Sequence, residues 1–275
     1  MIIKQICMSI MAIGLAACNM DSNEKFTDVD CVPEETPKYD NITVKLINSE
    51  GIAYKDTVIE QIEKRRTIFI PCRDYIYRAN YYSKDSVLIT SSRIKLTSAG
   101  KRWDFQSDRQ DEIVIQYEYS SKDKAKAEEY KINKTLNSSW IDKEQTGIVE
   151  NVNEVWMHPF RSNQFAFTEV APFPRVKFPL YIGKSWIEQL SIQNGWGDWE
   201  NSSGNMYYEI MDKRPLKTKY GNIEDCWKVE SFAKYPFGKS HHDFYFNEKL
   251  GFVRMQYKNY EGQYLNIELE EVFDH

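Results

Sequence analysis

Two clusters in this chain gather residue types that could do chemistry: His241-His242-Asp243, and the acid-flanked tryptophans of Gly195-Trp196-Gly197-Asp198-Trp199-Glu200-Asn201. Adjacent strand residues point to opposite faces, so His241 and His242 could share a metal ion only from a loop. The other reading is a plain polar hairpin tip, and no metal site and no cofactor are expected. His158, followed by Pro159, reads as a structural loop residue. Together with the upstream Trp186, exposed rings at Trp196 and Trp199 could stack on a sugar while Asp198 and Glu200 bond its hydroxyls, or could form the lip of an apolar pocket. Buried, the same rings would cap the end of a β core. Asp198 and Glu200 also offer the carboxylate pair of a glycan-processing enzyme, a role that depends on a separation in space that spacing does not give.

Other signals are imitations. Gly183-Lys184-Ser185 and Gly238-Lys239-Ser240 end like phosphate-binding loops, but the required upstream glycine is Phe178 in one and Ala233 in the other. Ile187 stands where a nucleophile elbow needs its trailing glycine, so a serine hydrolase has no anchor there. No Cys-x-x-Cys supports a redox or zinc site, and no catalytic residue is expected.

The clearest pattern lies at the start. Lys4 precedes an apolar stretch from Ile6 to Ala17, too short for the roughly 20 residues of a spanning helix, so 1–17 reads as an export signal. An ordinary secretory cut after Ala17 would place bulky Leu15 where a small residue is wanted. Leu15-Ala16-Ala17-Cys18 resembles the lipobox of Gram-negative lipoproteins. That resemblance implies a mature N-terminus at Cys18 carrying a diacylglycerol on its thiol and a further acyl chain, such as palmitate, on its amine. Two or more chains anchor a protein stably, so the membrane partner would be reached through Cys18 alone. Asn19 in place of aspartate implies the outer membrane, in either leaflet.

Net charge is −5 and becomes one unit more negative once Lys4 leaves. Nucleic acid and anionic lipid surfaces want clustered Lys and Arg, so neither is an expected partner of the body. Residues 18–40 are acidic and carry Pro33 and Pro37, which reads as a flexible tether. Cys31, Cys72 and Cys226 remain after the signal and anchor. An oxidising compartment permits one bridge, for which Cys31 to Cys72 is the first choice, while the alternative is three buried thiols. Asp56-Thr57-Val58 and Asp85-Ser86-Val87 resemble an O-glycosylation acceptor pattern of envelope bacteria, which marks Thr57 and Ser86 for testing.

The rest of the chain must supply the scaffold. Aromatic residues make up 14% of the full sequence, and period-two alternation recurs at Ile42-Val44-Leu46, Ile113-Ile115-Tyr117, Val253-Met255-Tyr257 and Leu265-Ile267-Leu269. Tyr260-Glu261-Gly262-Gln263 joins the last pair as a hairpin. The Pro-rich 171–179 suits an edge strand or rim. Helical spacing is found only at Val58 to Lys64 and Lys122 to Ile132. The expectation is a mostly β fold of antiparallel sheets, a curled half-barrel or sandwich with few short helices. A boundary near 121 would divide an N-terminal β region, 41–121, from a C-terminal one, 122–275; a single domain 41–275 is the alternative.

Residues 145–275 carry a second resemblance. Tyr181-Ile182-Gly183-Lys184-Ser185-Trp186, Tyr220-Gly221, Phe244-Tyr245-Phe246 and Gly251-Phe252-Val253 resemble the layout of uncharacterised envelope proteins whose sheets are similar to the half-barrel of periplasmic lipoprotein carriers. This implies a fold and transfers no catalytic residue. The functional expectation is a lipid-anchored, non-catalytic envelope binding module. Its alternatives are a carrier of an apolar ligand, a surface glycan binder and, last, a glycan-processing enzyme.

Overall fold

The computed structural model describes residues 26–32, 37–47, 50–130 and 140–275, so the signal stretch and Cys18 lie outside the described residues. Period-two alternation becomes fourteen strands. β1 (Tyr39–Ile47) and β2 (Ala53–Glu63) form a separate hairpin. The others are β3 (Arg73–Tyr82), β4 (Leu88–Arg102), β5 (Asp111–Glu118), β6 (Lys143–Glu150), β7 (Glu154–Met157), β8 (Arg175–Lys177), β9 (Ser185–Ser191), β10 (Ser203–Lys217), β11 (Asn222–Tyr235), β12 (Gly238–Asn247), β13 (Gly251–Lys258) and β14 (Tyr264–Asp274). These twelve make one antiparallel sheet in the order β8-β7-β6-β5-β4-β3-β14-β13-β12-β11-β10-β9. Strands from both sides of residue 121 share it, joined where Tyr82 pairs with Tyr264 and Tyr77 with Leu269.

This topology forces the sheet to curl. Eleven strand spacings of about 4.8 Å would separate the edges of a flat sheet by about 50 Å. The edge strands β8 and β9 are nevertheless consecutive, joined only by residues 178–184. That link reaches at most about 28 Å fully extended. The edges meet through side chains instead of a ladder: Arg175 Nη1 lies 3.0 Å from Glu188 Oε2, and Lys177 also pairs with Glu188. The sheet is therefore an open, curled one and not a closed barrel.

The chain fills the curl itself. Between β7 and β8 it dips inward through the 3-10 segment Asn163–Val170, whose residues are all buried. Phe160 packs on Tyr77 of β3, Phe165 on Tyr117 of β5, and Phe167 on both Tyr81 of β3 and Tyr257 of β13. The interior of the curl is occupied by these rings.

Two attachments hold the periphery. Asp40, buried at the base of the hairpin, accepts from Arg102 at 2.8 Å and from Asn151 at 2.9 Å, and Lys64 pairs with Asp111 beside them. Residues 26–32, within the stretch read as tether, lie against the sheet. Thr27 donates its N–H to Gln116 Oε1 and accepts from Gln116 Nε2, both at 2.8 Å, and Cys31 is disulfide-bonded to Cys72 with a Cα separation of 5.4 Å. Cys226 is a buried free thiol.

Of the two helical expectations, one changes. α1 (Ser121–Glu129) falls on the second, started by a capping box in which Ser120 and Asp123 exchange hydrogen bonds of 3.0 and 3.1 Å. Val58 to Lys64 is instead strand, in β2. A β-bulge between Ile42 and Thr43 leaves Ile59 without a partner and breaks the alternation, which is why the run mimics helical spacing.

Candidate functional site

A cavity of about 680 Å³ opens at the seam where the two edges of the curled sheet meet. Its size is within the range of small-molecule sites. One wall comes from β9 and β10, with Glu188, Leu190, Met206 and Tyr208; the other comes from β6, β7 and the chain around Trp103 and Gln110. The floor is residues 158–173, the start and end of the inward excursion.

Rings define the cavity. His158 sits among Trp103 at 5.4 Å, Trp156 at 5.2 Å and Phe173 at 5.7 Å, each pair tilted or edge-on, and Phe105 continues the row 5.2 Å from Trp103. Phe105 is 81% exposed and stands at the rim. Burial, and after it the charge of Arg161, holds the imidazole of His158 down to about 3, so the ring is neutral and its Nδ1 accepts from Arg161 at 3.5 Å.

The polar groups fall into two kinds. Some are fully answered: Glu154 accepts from Arg109 at 2.6 Å and from Arg175 at 2.8 Å, and Arg175 also faces Glu188. Others are not. Gln110 is 6% exposed and its Oε1 has no hydrogen-bond partner, nor does the buried indole Nε1 of Trp156. The contacts of Arg161 to His158, Thr146 Oγ1 and Glu169 are all 3.5 Å long. Burial pushes the Glu169 carboxyl up to about 7 against the pull of Arg161, so near neutrality it is only partly charged. Gly147 makes the packing possible, because a Cβ there would stand 1.9 Å from Gln110 Oε1 and 2.6 Å from Trp103 Cε3.

The sequence-derived candidates lie elsewhere. Trp199 is 5% exposed and donates its indole N–H to Tyr260 at 2.9 Å, so it caps the core. Trp196 is half-buried and stacks on Trp199 at 6.4 Å, which leaves no exposed coplanar pair for a sugar face. Asp198 and Glu200 are exposed, and Glu200 accepts from the backbone of Gly195 at 3.1 Å. Trp186 is buried against Tyr208 with ring centroids 5.0 Å apart. Thr57 is half-buried in β2, whereas Ser86 is exposed in a left-handed turn with φ of 62°.

His241 and His242 take opposite faces of β12. His242 is fully buried and donates Nδ1–H to the Pro172 carbonyl at 2.7 Å; the carbonyl only accepts, which fixes that tautomer. Among the described residues no cluster of His, Cys, Asp and Glu could hold a metal ion, and no helix is long and apolar enough to cross a membrane. The seam residues Trp103, Gln110, Trp156, Arg161 and Phe173 come from four separate stretches of chain. No local spacing marks them; only His158 and the 171–179 segment drew notice in the sequence, as loop and rim.

Fold and cavity thus define the class: an open, curled antiparallel sheet with a ligand-sized cavity at its seam. No family model and no curated protein matches the chain. Among solved structures it is similar to a protein of Bacteroides fragilis described as exported and as having a YmcC-like fold, at 12% identity and a TM-score of 0.44, over 74% of this chain and 96% of that one. It is also similar to one of Parabacteroides distasonis described as a lipoprotein, at 13% identity and a TM-score of 0.41, over 75% and 99%. No residue is carried over from either.

Proposed function

We propose that the protein is a lipid-anchored lipoprotein of the cell envelope, held at the outer membrane through Cys18, whose β body is a non-catalytic module that binds a small ligand in the seam cavity. The observation that carries the binding reading is the cavity itself: a ring-lined space of about 680 Å³ whose lining also presents the polar side chains of Gln106, Arg161 and Gln189. The anchor rests on Leu15-Ala16-Ala17-Cys18.

The test is native mass spectrometry of the full chain purified in detergent, beside a Met206→Trp variant that fills the cavity. An added mass on the wild-type chain that disappears from the variant is the expected result. Two chains of equally bare mass would overturn the binding reading. Incorporation of an alkyne-labelled palmitate, lost in Cys18→Ala, is the expected result for the anchor.

A further inference from the structure

We infer that the hairpin of β1 and β2 is a self-association arm, whose apolar face seats the same face of a second copy of this chain. This goes beyond the binding function proposed above and does not depend on the seam cavity.

The face follows from the sequence. Ile42, Val44 and Leu46 alternate as a strand does when one side packs on a core. In the hairpin register Ile42 stands opposite Glu60, Val44 opposite Thr57 and Leu46 opposite Lys55, so these six side chains share one face. The body does not cover it. β1 and β2 form a two-stranded sheet of their own, tied to the rest at the base around Asp40 and Lys64. Val44 and Leu46 are each 37% exposed. A hairpin of two strands is at best marginally stable alone in water, and a second layer on its apolar face supplies the missing burial. The opposite face is mixed, with Asn41 opposite Gln61, Thr43 opposite Val58 and Lys45 opposite Asp56.

Charge selects the second layer. On the mixed face Lys45 and Asp56 stand opposite each other within one hairpin. On the apolar face Glu60 and Lys55 lie four rows apart. That is about 13 Å along the strands, and neither residue forms an ion pair among the described residues. A second hairpin, turned over about an axis that crosses the strands at the row of Val44 and Thr57, lays its Leu46 on Ile42 and its Lys55 on Glu60. By the same symmetry its Ile42 falls on Leu46 and its Glu60 on Lys55. The face therefore complements itself, apolar on apolar and acid on base, as a two-fold isologous contact requires. Turned about the strand direction instead, it would set Glu60 on Ile42 and bury a lone charge. β1 is nine residues long. Two such strands present about 30 Å by 10 Å, or about 300 Å² per copy. This is below the size of a standard interface, so the association is weak and depends on concentration.

The experiment treats the full chain, in detergent, with a short bismaleimide over a concentration series, using Val44→Cys and, from the opposite face, Val58→Cys. Wild type controls for Cys226, whose thiol is buried. A covalent dimer that grows with concentration is expected from Val44→Cys and little from Val58→Cys, although Val58 is the more exposed of the two at 48%. Adding Glu60→Lys to Val44→Cys is expected to cut the crosslinked fraction about tenfold, because two-fold symmetry turns both attractive pairs repulsive at once. Adding Lys55→Glu as well inverts both pairs and is expected to restore the dimer.

Equal crosslinking from the two faces, a dimer indifferent to Glu60→Lys, or no dimer from Val44→Cys would overturn the inference. All four altered positions are exposed, so the substitutions leave the core untouched. Sedimentation of the wild-type chain decides without any variant: a mass rising with concentration toward two chains is expected, and a mass of one chain throughout overturns the inference. The bound mass in the native measurement bears only on the seam cavity, so the two readings stand or fall separately.

Discussion

Glu150 shows how much one buried carboxylate can organise. Its two oxygens accept the backbone N–H groups of Thr67, Ile68 and Phe69 at 2.9 to 3.3 Å, which fixes the turn leading into β3. Glu150→Ala would leave these donors without partners in the interior, and each such group costs about 1–3 kcal/mol. A loss of about 3 kcal/mol or more in urea unfolding is expected, against almost none for the exposed Glu128→Ala. Glu169 makes a pH prediction. Burial raises its carboxyl to about 7, with Arg161 pulling it down and Glu144 pushing it further up. Because the folded state holds this proton more tightly than the unfolded one, its contribution to stability is fully present below the ordinary carboxylate range and is lost as pH rises through about 7. Wild type is thus expected to lose stability relative to Glu169→Gln between about pH 4.5 and 7, read as the difference of two urea midpoint curves so that all other groups cancel.

At the scale of elements, the N-terminal strap, residues 26–32, and the hairpin are the additions to the sheet. The disulfide closes a loop between residues 41 apart. Chain entropy then gives it a stabilising effect of about 3–4 kcal/mol. Cys31→Ser is expected to lower the melting temperature by that equivalent, and a reductant to do the same to wild type with no effect on the variant. If Cys18 is the lipidated terminus, the strap also sets distance. From Cys18 to the clamp of Thr27 on Gln116 the chain reaches at most about 32 Å, so the β body would ride close to the bilayer. Gln116→Ala removes that clamp, and increased protease access ahead of Cys31 is the expected readout.

At the scale of the molecule, the curl leaves two edges that no ladder closes. Residues 178–184 and the ion pairs of Glu188 hold them together, so β8 and β9 each have one hydrogen-bonded neighbour while β3 and β14 have two. Amide exchange is therefore expected to be faster in β9 than in β14, and faster again in Glu188→Ala, with the protection of β14 unchanged. Equal protection of both strands in wild type would mean that the seam is closed by more than side chains.

Much of the element content is written locally. Period-two alternation in Val253-Met255-Tyr257 and Leu265-Ile267-Leu269 is a property of neighbouring residues, and it becomes β13 and β14 with the Tyr260 turn between them. The charged run after residue 121 carries its own cap and forms α1. The bulge in the hairpin defeated the same logic, since one extra residue shifts the phase of every side chain after it. The sequence by itself therefore determined a mostly β, antiparallel chain, and in Leu15-Ala16-Ala17-Cys18 it holds the linear string on which the proposed anchor rests. Only the tertiary structure decided the candidate site. The pairing of β3 with β14 and the meeting of β8 with β9 are long-range closures, and they carry Trp103, Gln110, Trp156, Arg161 and Phe173 into one cavity while burying the more conspicuous Trp199. Alternation fixes which face a side chain takes, but which faces meet depends on how far the whole sheet curls.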